Sequence, residues 1–384
     1  MRGSAALIVA LSWLVMHACV QPPSPETIHN GEVIHNETIY QNGSRTRFNI
    51  LSNLSNLSNL SDLSDLSGPS HQDQNHAIQD GMAKVGVWLC PKSNCSDVIT
   101  KAISSSSNVQ CALYSLSDPA VILALESGNA SLVVDGDVAQ KKFIGIKDTV
   151  QGPPKHTMHN KFCVLDHSRV ITGSYNPTGR QHKDLVVEIR SPTVASGFSD
   201  EFLELHAGTF GGGTTAAPTS VHTANGTLEV LFCPDDPCEE RVAAEIGRAR
   251  QRILMEAYAF TSRPVMGALK SAHERGVEVG GMIEESQDKE QIANVMESQG
   301  VHLSLYEGPG LLHRKLFIID GKVIIAGSAN PTFSGYHEND ENLLIIRDQS
   351  LALWLEDQLL RESCSSLDHV VFSKELLEAV KFRC

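Results

Sequence analysis

Aromatic residues are scarce in this chain, 5 % of 384 positions, and basic residues are outnumbered, 31 Lys and Arg against 45 Asp and Glu. The resulting formal charge of -14 argues against a protein that holds nucleic acid through bulk positive charge, although it leaves room for a local basic groove. After residue 16 no apolar run approaches the roughly 20 residues that cross a bilayer as a helix. The C-x-x-C spacing of zinc and redox sites is also missing, which removes the commonest reason for paired cysteines to hold a metal.

What is present begins with an export signal. Arg2 precedes the short apolar run Ala5 to Met16, so residues 1–18 read as a signal peptide. Ala18-Cys19 admits two readings, ordinary cleavage nearby or a lipid anchor at Cys19, and either gives a secreted or cell-surface protein. Residues 19–81 are polar, and Leu51 to Ser67 repeats Leu-Ser-Asn or Leu-Ser-Asp every three residues. That period fits neither a helix stripe, a strand nor a coiled coil, so a flexible stalk is expected.

The remainder is an internal duplication. Val87-Trp88-Leu89-Cys90-Pro91 matches Val230-Leu231-Phe232-Cys233-Pro234, and Cys111 to Ser117 matches Met255 to Thr261. The first lobe is expected over 82–206 and the second over 228–384, joined by a Gly/Thr/Pro linker at 207–227. In the second, helices are predicted over 239–252, 263–275 and 289–299, with strands over 253–260, 277–283 and 316–319. Phe162 to Leu165 and Leu316 to Ile319 are apolar without alternation, as in central strands covered on both faces, so an α/β fold with helices on mixed sheets follows.

Cysteine usage fits an oxidising compartment. Cys90 with Cys95, and Cys233 with Cys238, stand at equivalent places in the repeats and are expected to form local disulfides, with Cys364 and Cys384 as a third candidate pair. Cys111 and Cys163 fall in predicted core strands, where a buried thiol and a bridge are equally expected. Sequons at Asn36, Asn42, Asn53, Asn56, Asn59, Asn94, Asn129 and Asn225 suit an exported glycoprotein.

The chemistry lies in a repeated pattern, H-x-K-x4-D followed seven residues later by G-S-x-N. It occurs as His159, Lys161, Asp166, Ser174, Asn176 and again as His313, Lys315, Asp320, Ser328, Asn330. Residues two apart on a strand share a face, so each His projects with its Lys. Asp166 and Asp320 have the opposite parity and are read as structural or electrostatic residues at strand ends. The Ser and Asn of each G-S-x-N are expected at the end of a neighbouring strand. Brought together about a pseudo-two-fold axis, these residues suit phosphodiester cleavage through a covalent intermediate. One neutral imidazole attacks phosphorus, and the other, protonated, serves the leaving oxygen and then activates water. Lys ammoniums and Asn amides, with the serines, would bind the phosphate oxygens. No metal or other cofactor is required.

These motifs resemble the phospholipase D superfamily in its form with both H-x-K-x4-D copies on one chain, over about residues 82–384. The resemblance implies a duplicated α-β-α sandwich, catalytic use of all three motif residues and a phosphohistidine intermediate. His159 would be the nucleophile and His313 the acid and base, with the reverse assignment open. It further implies that an acidic residue after G-S-x-N orients a catalytic His: Glu341 fits that place, and Asp184 is the weaker counterpart in the first repeat. Tyr114 and Tyr258 read as core aromatics. Arg314, His182 and His337 read as solvated loop residues, and the His156/His159 spacing as no metal pair. The expected substrate is a phosphodiester, a phospholipid ahead of DNA or RNA. Membrane-surface contact and a monomer are expected with it, and a non-catalytic surface protein is the remote alternative.

Overall fold

The computed structural model describes residues 82–136, 145–146, 148–154, 156–213 and 219–365, without the side chains of 364 and 365. All of them belong to the second of two compact units, Asn75–Cys384. The signal peptide, the whole stalk and the Cys364–Cys384 pairing lie outside the described residues.

The first half runs β1 (Lys84–Leu89), α1 (Cys95–Ser104), β2 (Val109–Leu113), α2 (Pro119–Ser127), β3 (Ala130–Val134), β4 (Asp148–Gln151), β5 (Lys161–Leu165), β6 (Arg169–Gly173), β7 (Leu185–Arg190) and α3 (Pro192–His206). The second half runs β8 (Thr219–Thr223), β9 (Gly226–Cys233), α4 (Cys238–Arg248), β10 (Arg252–Ala257), α5 (Arg263–Glu274), β11 (Glu278–Glu284), α6 (Ile292–Glu297), β12 (His302–Tyr306), β13 (Lys315–Ile319), β14 (Val323–Gly327), α7 (Phe333–His337), β15 (Glu341–Asp348) and α8 (Gln349–Ser365).

Each half contributes one mixed sheet, in the orders β1-β7-β6-β5-β2-β3-β4 and β12-β11-β10-β13-β14-β15-β9-β8. The duplication is exact at this level. β5 lies between β2 and β6 as β13 lies between β10 and β14, antiparallel on both sides. The outer pairs β2/β3/β4 and β10/β11/β12 are parallel. Among the described residues, β8 is the strand without a counterpart. It lies inside the expected linker, where Thr219–Thr223 pairs with β9 and extends the second sheet at its edge.

Local chemistry accounts for the helices. Asn94 caps α1 by accepting from the Asp97 N–H, and Ile99, Ala102 and Ile103 supply its buried stripe. Ser191 caps α3 with Pro192 in its first turn, and Val194, Phe198, Phe202 and Leu205 face inward. α6 is shorter than predicted because Gln291 sits in the left-handed region (φ 55°) and delays its start. One core cluster is shared by both halves: α3, α8 and facing residues of both sheets, among them Phe162, Val187, Phe232, Leu316 and Leu344. Separate outer cores lie under α1 and α2 and under α4, α5 and α6. Helix–sheet–helix layering around a common interior results, the expected α-β-α sandwich.

Disulfides join Cys90 to Cys95 and Cys233 to Cys238, and a third joins Cys111 to Cys163, which sequence left undecided. Cys111 and Cys163 are register partners on β2 and β5, with Cα atoms 4.1 Å apart, two residues beyond Lys161. The second half fills the equivalent place with Met255 opposite Phe317. Because this bridge closes a 52-residue separation, the Cys111→Ala/Cys163→Ala variant is expected to lose about 2–4 kcal/mol of stability, read from urea midpoints. Removing the five-residue Cys90–Cys95 bridge is expected to cost less.

Candidate active site

The two motif strands meet through their approaches. Met158 pairs with Asp340, and the His159 N–H donates to the Asp340 carbonyl at 3.0 Å. Lys183 pairs with Leu312, and the His313 N–H donates to the Lys183 carbonyl at 2.9 Å. Each catalytic-candidate His is thus stitched to the opposite half, immediately beside that half's acid. The result is a crossed pair of dyads: His159 Nδ1 to Glu341 Oε1 at 2.6 Å, and His313 Nδ1 to Asp184 Oδ1 at 2.7 Å. An ionised carboxylate can only accept, so each Nδ1 carries the proton and each Nε2 keeps its lone pair. Asp184, the weaker candidate from sequence, is therefore the geometric equal of Glu341.

Lys161 and Lys315 complete the set in the same symmetric way. Each ammonium donates to the carbonyl of its own motif His, at 2.6 and 2.7 Å, and lies over a tyrosine ring, Tyr114 at 5.0 Å and Tyr258 at 5.1 Å. The same rings meet the imidazoles edge-on, with centroids 4.7 and 4.8 Å from His159 and His313. Tyr114 and Tyr258 are therefore half-exposed walls of the site and not core aromatics.

Charge is concentrated out of water here, which sets the titration. Burial pushes His159 down to about 4 and His313 down to about 3, against the pull of Glu341 and Asp184. Burial also lowers Lys161 to about 8 and Lys315 to about 7, the latter helped by repulsion from Lys161. Lys315 also acts on His159 and Lys161 on His313, so both motifs occupy one electrostatic site. For Asp184 burial opposes ionisation, but His313, Lys315 and Ser174 prevail and hold it at about 2. Burial likewise opposes Glu341, and His159 and Lys161 keep it below the ordinary carboxylate range.

Several expected roles are corrected. Asp166 and Asp320 do not reach the site. Each sits at φ near 50° after its strand, and its carboxylate accepts backbone N–H groups of the segment leading into the neighbouring strand. Asp166 takes Ser107 and Asn108, and Asp320 takes Arg250, Gln251 and Arg252. They brace β5 to β2 and β13 to β10, so their catalytic reading gives way to a structural one. Ser174 and Ser328 are buried. Ser174 donates to Asp184 and accepts from the Leu185 N–H, and Ser328 accepts from the Asn342 N–H. Ser174 thereby positions Asp184, Ser328 fixes the backbone beside Glu341, and both hydroxyls are engaged within the fold where phosphate binding was expected. Asn176 and Asn330 are half-buried, their side-chain oxygens buried without a partner among the described residues, so the amide N–H groups are the donors they could offer a phosphate oxygen.

The glycines of G-S-x-N are fixed by geometry. Gly173 (φ 134°) and Gly327 (φ 156°) would drive a Cβ to 2.2 Å from the Leu185 and Asn342 carbonyl oxygens. Arg314, expected in solvent, is fully buried between Glu256 and Glu362 and donates to the Asp184 and Cys90 carbonyls. His182 accepts from the Leu311 N–H, and His337 pairs with Glu239. His156 pairs with Asp340. Among the described residues, the carboxylates close enough to share a metal are Glu201, Glu204 and Asp235, none of which belongs to the twin-dyad set.

The chain is similar to known proteins. A family model described as cardiolipin synthase, PLD-like domain, matches residues 140–206 and 242–362. Phospholipase D of Rickettsia conorii is 34% identical over 139 residues, 35% of this chain and 70% of that protein. Human mitochondrial cardiolipin hydrolase is 31% identical over 113 residues, 28% of this chain and 44% of its own length. The crystal structure of phosphatidylserine synthase from Haemophilus influenzae Rd KW20 shares the fold. It has a TM-score of 0.57 at 11% identity and covers 72% of this chain and 85% of that one. Twin motifs, crossed dyads and these relatives converge: the chain belongs to the phospholipase D superfamily and is a phosphodiesterase of that type.

Proposed function

We propose that this phosphodiesterase is exported and hydrolyses the headgroup phosphodiester bond of phospholipids through a phosphohistidine. The observation that carries the mechanism is the pair of crossed His–carboxylate dyads flanked by two buried lysines. His159 Nε2 attacks phosphorus, and the bond from phosphorus to the headgroup oxygen breaks. The anionic diester draws His313 into its protonated form, and that imidazolium supplies the leaving oxygen's proton. Neutral His313 then takes a proton from water as its oxygen attacks the phosphohistidine, releasing phosphatidic acid and restoring His159. Lys161, Lys315, Asn176 and Asn330 stabilise the non-bridging oxygens, and Glu341 and Asp184 hold each ring's tautomer. One chain supplies the whole set, which supports a monomer as the working unit. Three disulfides support the exported reading.

The test is purified protein with chelator, offered headgroup-labelled phospholipid vesicles and, separately, plasmid. Headgroup release without nicking is expected. Nicking alone moves the substrate to nucleic acid, and silence on both, unchanged in His159→Ala, leaves a binding protein.

The lysines predict the alkaline side of the rate profile. They act as ammoniums, with folded values near 7 for Lys315 and 8 for Lys161, so kcat/KM should fall as pH rises through 7 to 8. Lys315→Arg keeps its charge and should carry that limb to higher pH, whatever its effect on the maximum. A limb that stays in place would assign it to another group.

A further inference from the structure

The site is symmetric at its centre and unlike at its two edges. From the Asn of G-S-x-N both halves continue with Pro-Thr, as Asn176-Pro177-Thr178 and Asn330-Pro331-Thr332. The two turns are placed by the same bonds. The Pro177 carbonyl accepts from Ser117 and Asp118, the Pro331 carbonyl from Thr261 and Ser262, and each Thr N–H donates to its Asn carbonyl at 2.7 Å. The next residues differ completely. The first half has Gly179-Arg180, and the second has Phe333-Ser334 at the start of α7.

Each turn leads to one dyad. Residues 179–183 run to Asp184, the partner of His313, and the His182 ring lies 6.3 Å from the His313 ring. α7 runs to Asp340 and Glu341, the partner of His159. The His313 edge therefore carries Arg180, which is exposed and has no carboxylate partner among the described residues. A cleft of about 180 Å³ adjoins this segment, lined by Tyr175, Gly179, Arg180 and the Cys90–Cys95 disulfide. The His159 edge carries Phe333, 61% exposed, and the buried acid Asp340. In a chain of net charge -14, an unpaired guanidinium beside an open cleft favours an anion.

In-line displacement ties these edges to the two ends of a substrate. The leaving oxygen departs toward the imidazole that protonates it, His313, and so toward Arg180. We propose that the departing headgroup itself carries a second phosphate, taken by Arg180 in this cleft, while the diacylglycerol side lies along α7 at Phe333. The inference rests on the phospholipid reading above and on His159 as nucleophile.

The probe pair is phosphatidylinositol 4-phosphate and phosphatidylinositol, which differ by that phosphate alone, in mixed micelles brought to equal surface charge with an anionic detergent. The full chain is expected to favour the phosphorylated lipid by about tenfold in kcat/KM, the size of one charge-assisted contact. Arg180→Ala should bring the ratio close to one, Arg180→Lys should keep part of it, and Phe333→Asp should raise KM for both lipids without altering the ratio. Equal rates on both lipids in the parent chain, or a preference that survives Arg180→Ala, would overturn the inference and leave the phospholipase reading standing. Loss of the preference in Phe333→Asp alone would put the headgroup on the wrong edge. No turnover of either lipid removes the phospholipid reading and this inference together.

Discussion

His159→Ala is expected to lower kcat on the order of 10⁴- to 10⁶-fold, and His313→Ala to do nearly the same on an ordinary headgroup, with little added by combining them. Non-additivity follows from the scheme, in which both imidazoles serve one covalent route and either loss closes it. The variants part company on a substrate whose leaving group needs no proton. With phosphatidyl-p-nitrophenol, His313→Ala should release about one equivalent of p-nitrophenol in a burst and then stall, because water has lost its base. A phosphatidyl adduct should remain on the peptide containing His159. His159→Ala should show no burst. A burst in His159→Ala and none in His313→Ala would exchange the two roles, and more than about a hundredth of parental kcat in both would end the twin-imidazole mechanism. Either substitution also takes the hydrogen-bond donor from a buried carboxylate, Glu341 or Asp184, so each variant should lose about 1–3 kcal/mol of stability, read from its urea midpoint beside the burst.

The centre of this site is legible in the sequence because strand periodicity translates directly into geometry. His and Lys two apart on β5 and β13 point to one side, and a duplicated motif on duplicated sheets must return a two-fold site. What escapes is decided by which half a side chain meets. The equivalence of Asp184 and Glu341 is hidden because α7 lengthens the second turn: the acid follows its Ser by ten residues in one half and thirteen in the other. Ser174 and Ser328 share spacing with the Asn residues, but the bare Gly before each brings the chain against Leu185 and Asn342, and the hydroxyls are used there. Tyr114 and Tyr258 look like core residues because they follow apolar strands. They fall just past the strand ends, where the sheet edge opens onto the site, and the signal available was an identical residue at matched places in both repeats. β8 was hidden in linker-like composition, since an edge strand needs only one partner, β9.

Arg314→Met is expected to be the most destabilising single change named here, by about 3–5 kcal/mol, because it strands charge in the interior. Arg314 occupies the middle of the second H-x-K, where the first repeat has Asn160. Its guanidinium donates to Glu256 at 2.9 Å and to Glu362 on α8 at 2.9 Å, and burial's pressure to discharge it is more than offset by those two carboxylates. Further donations to the Asp184 and Cys90 carbonyls tie β13, α8 and the first half's Cys90 loop to one planar group. Lysine offers neither the fork nor the reach to all four acceptors, so Arg314→Lys should recover only part of the loss. Adding Glu256→Gln to Arg314→Met should restore stability by removing the more buried orphan charge, whereas either single change should destabilise. The double variant still lacks the donors to the Asp184 and Cys90 carbonyls, which hold the acid beside His313. Its kcat should therefore remain low after its urea midpoint has recovered. Full activity at restored stability would show that Arg314 holds the fold without aligning the dyad.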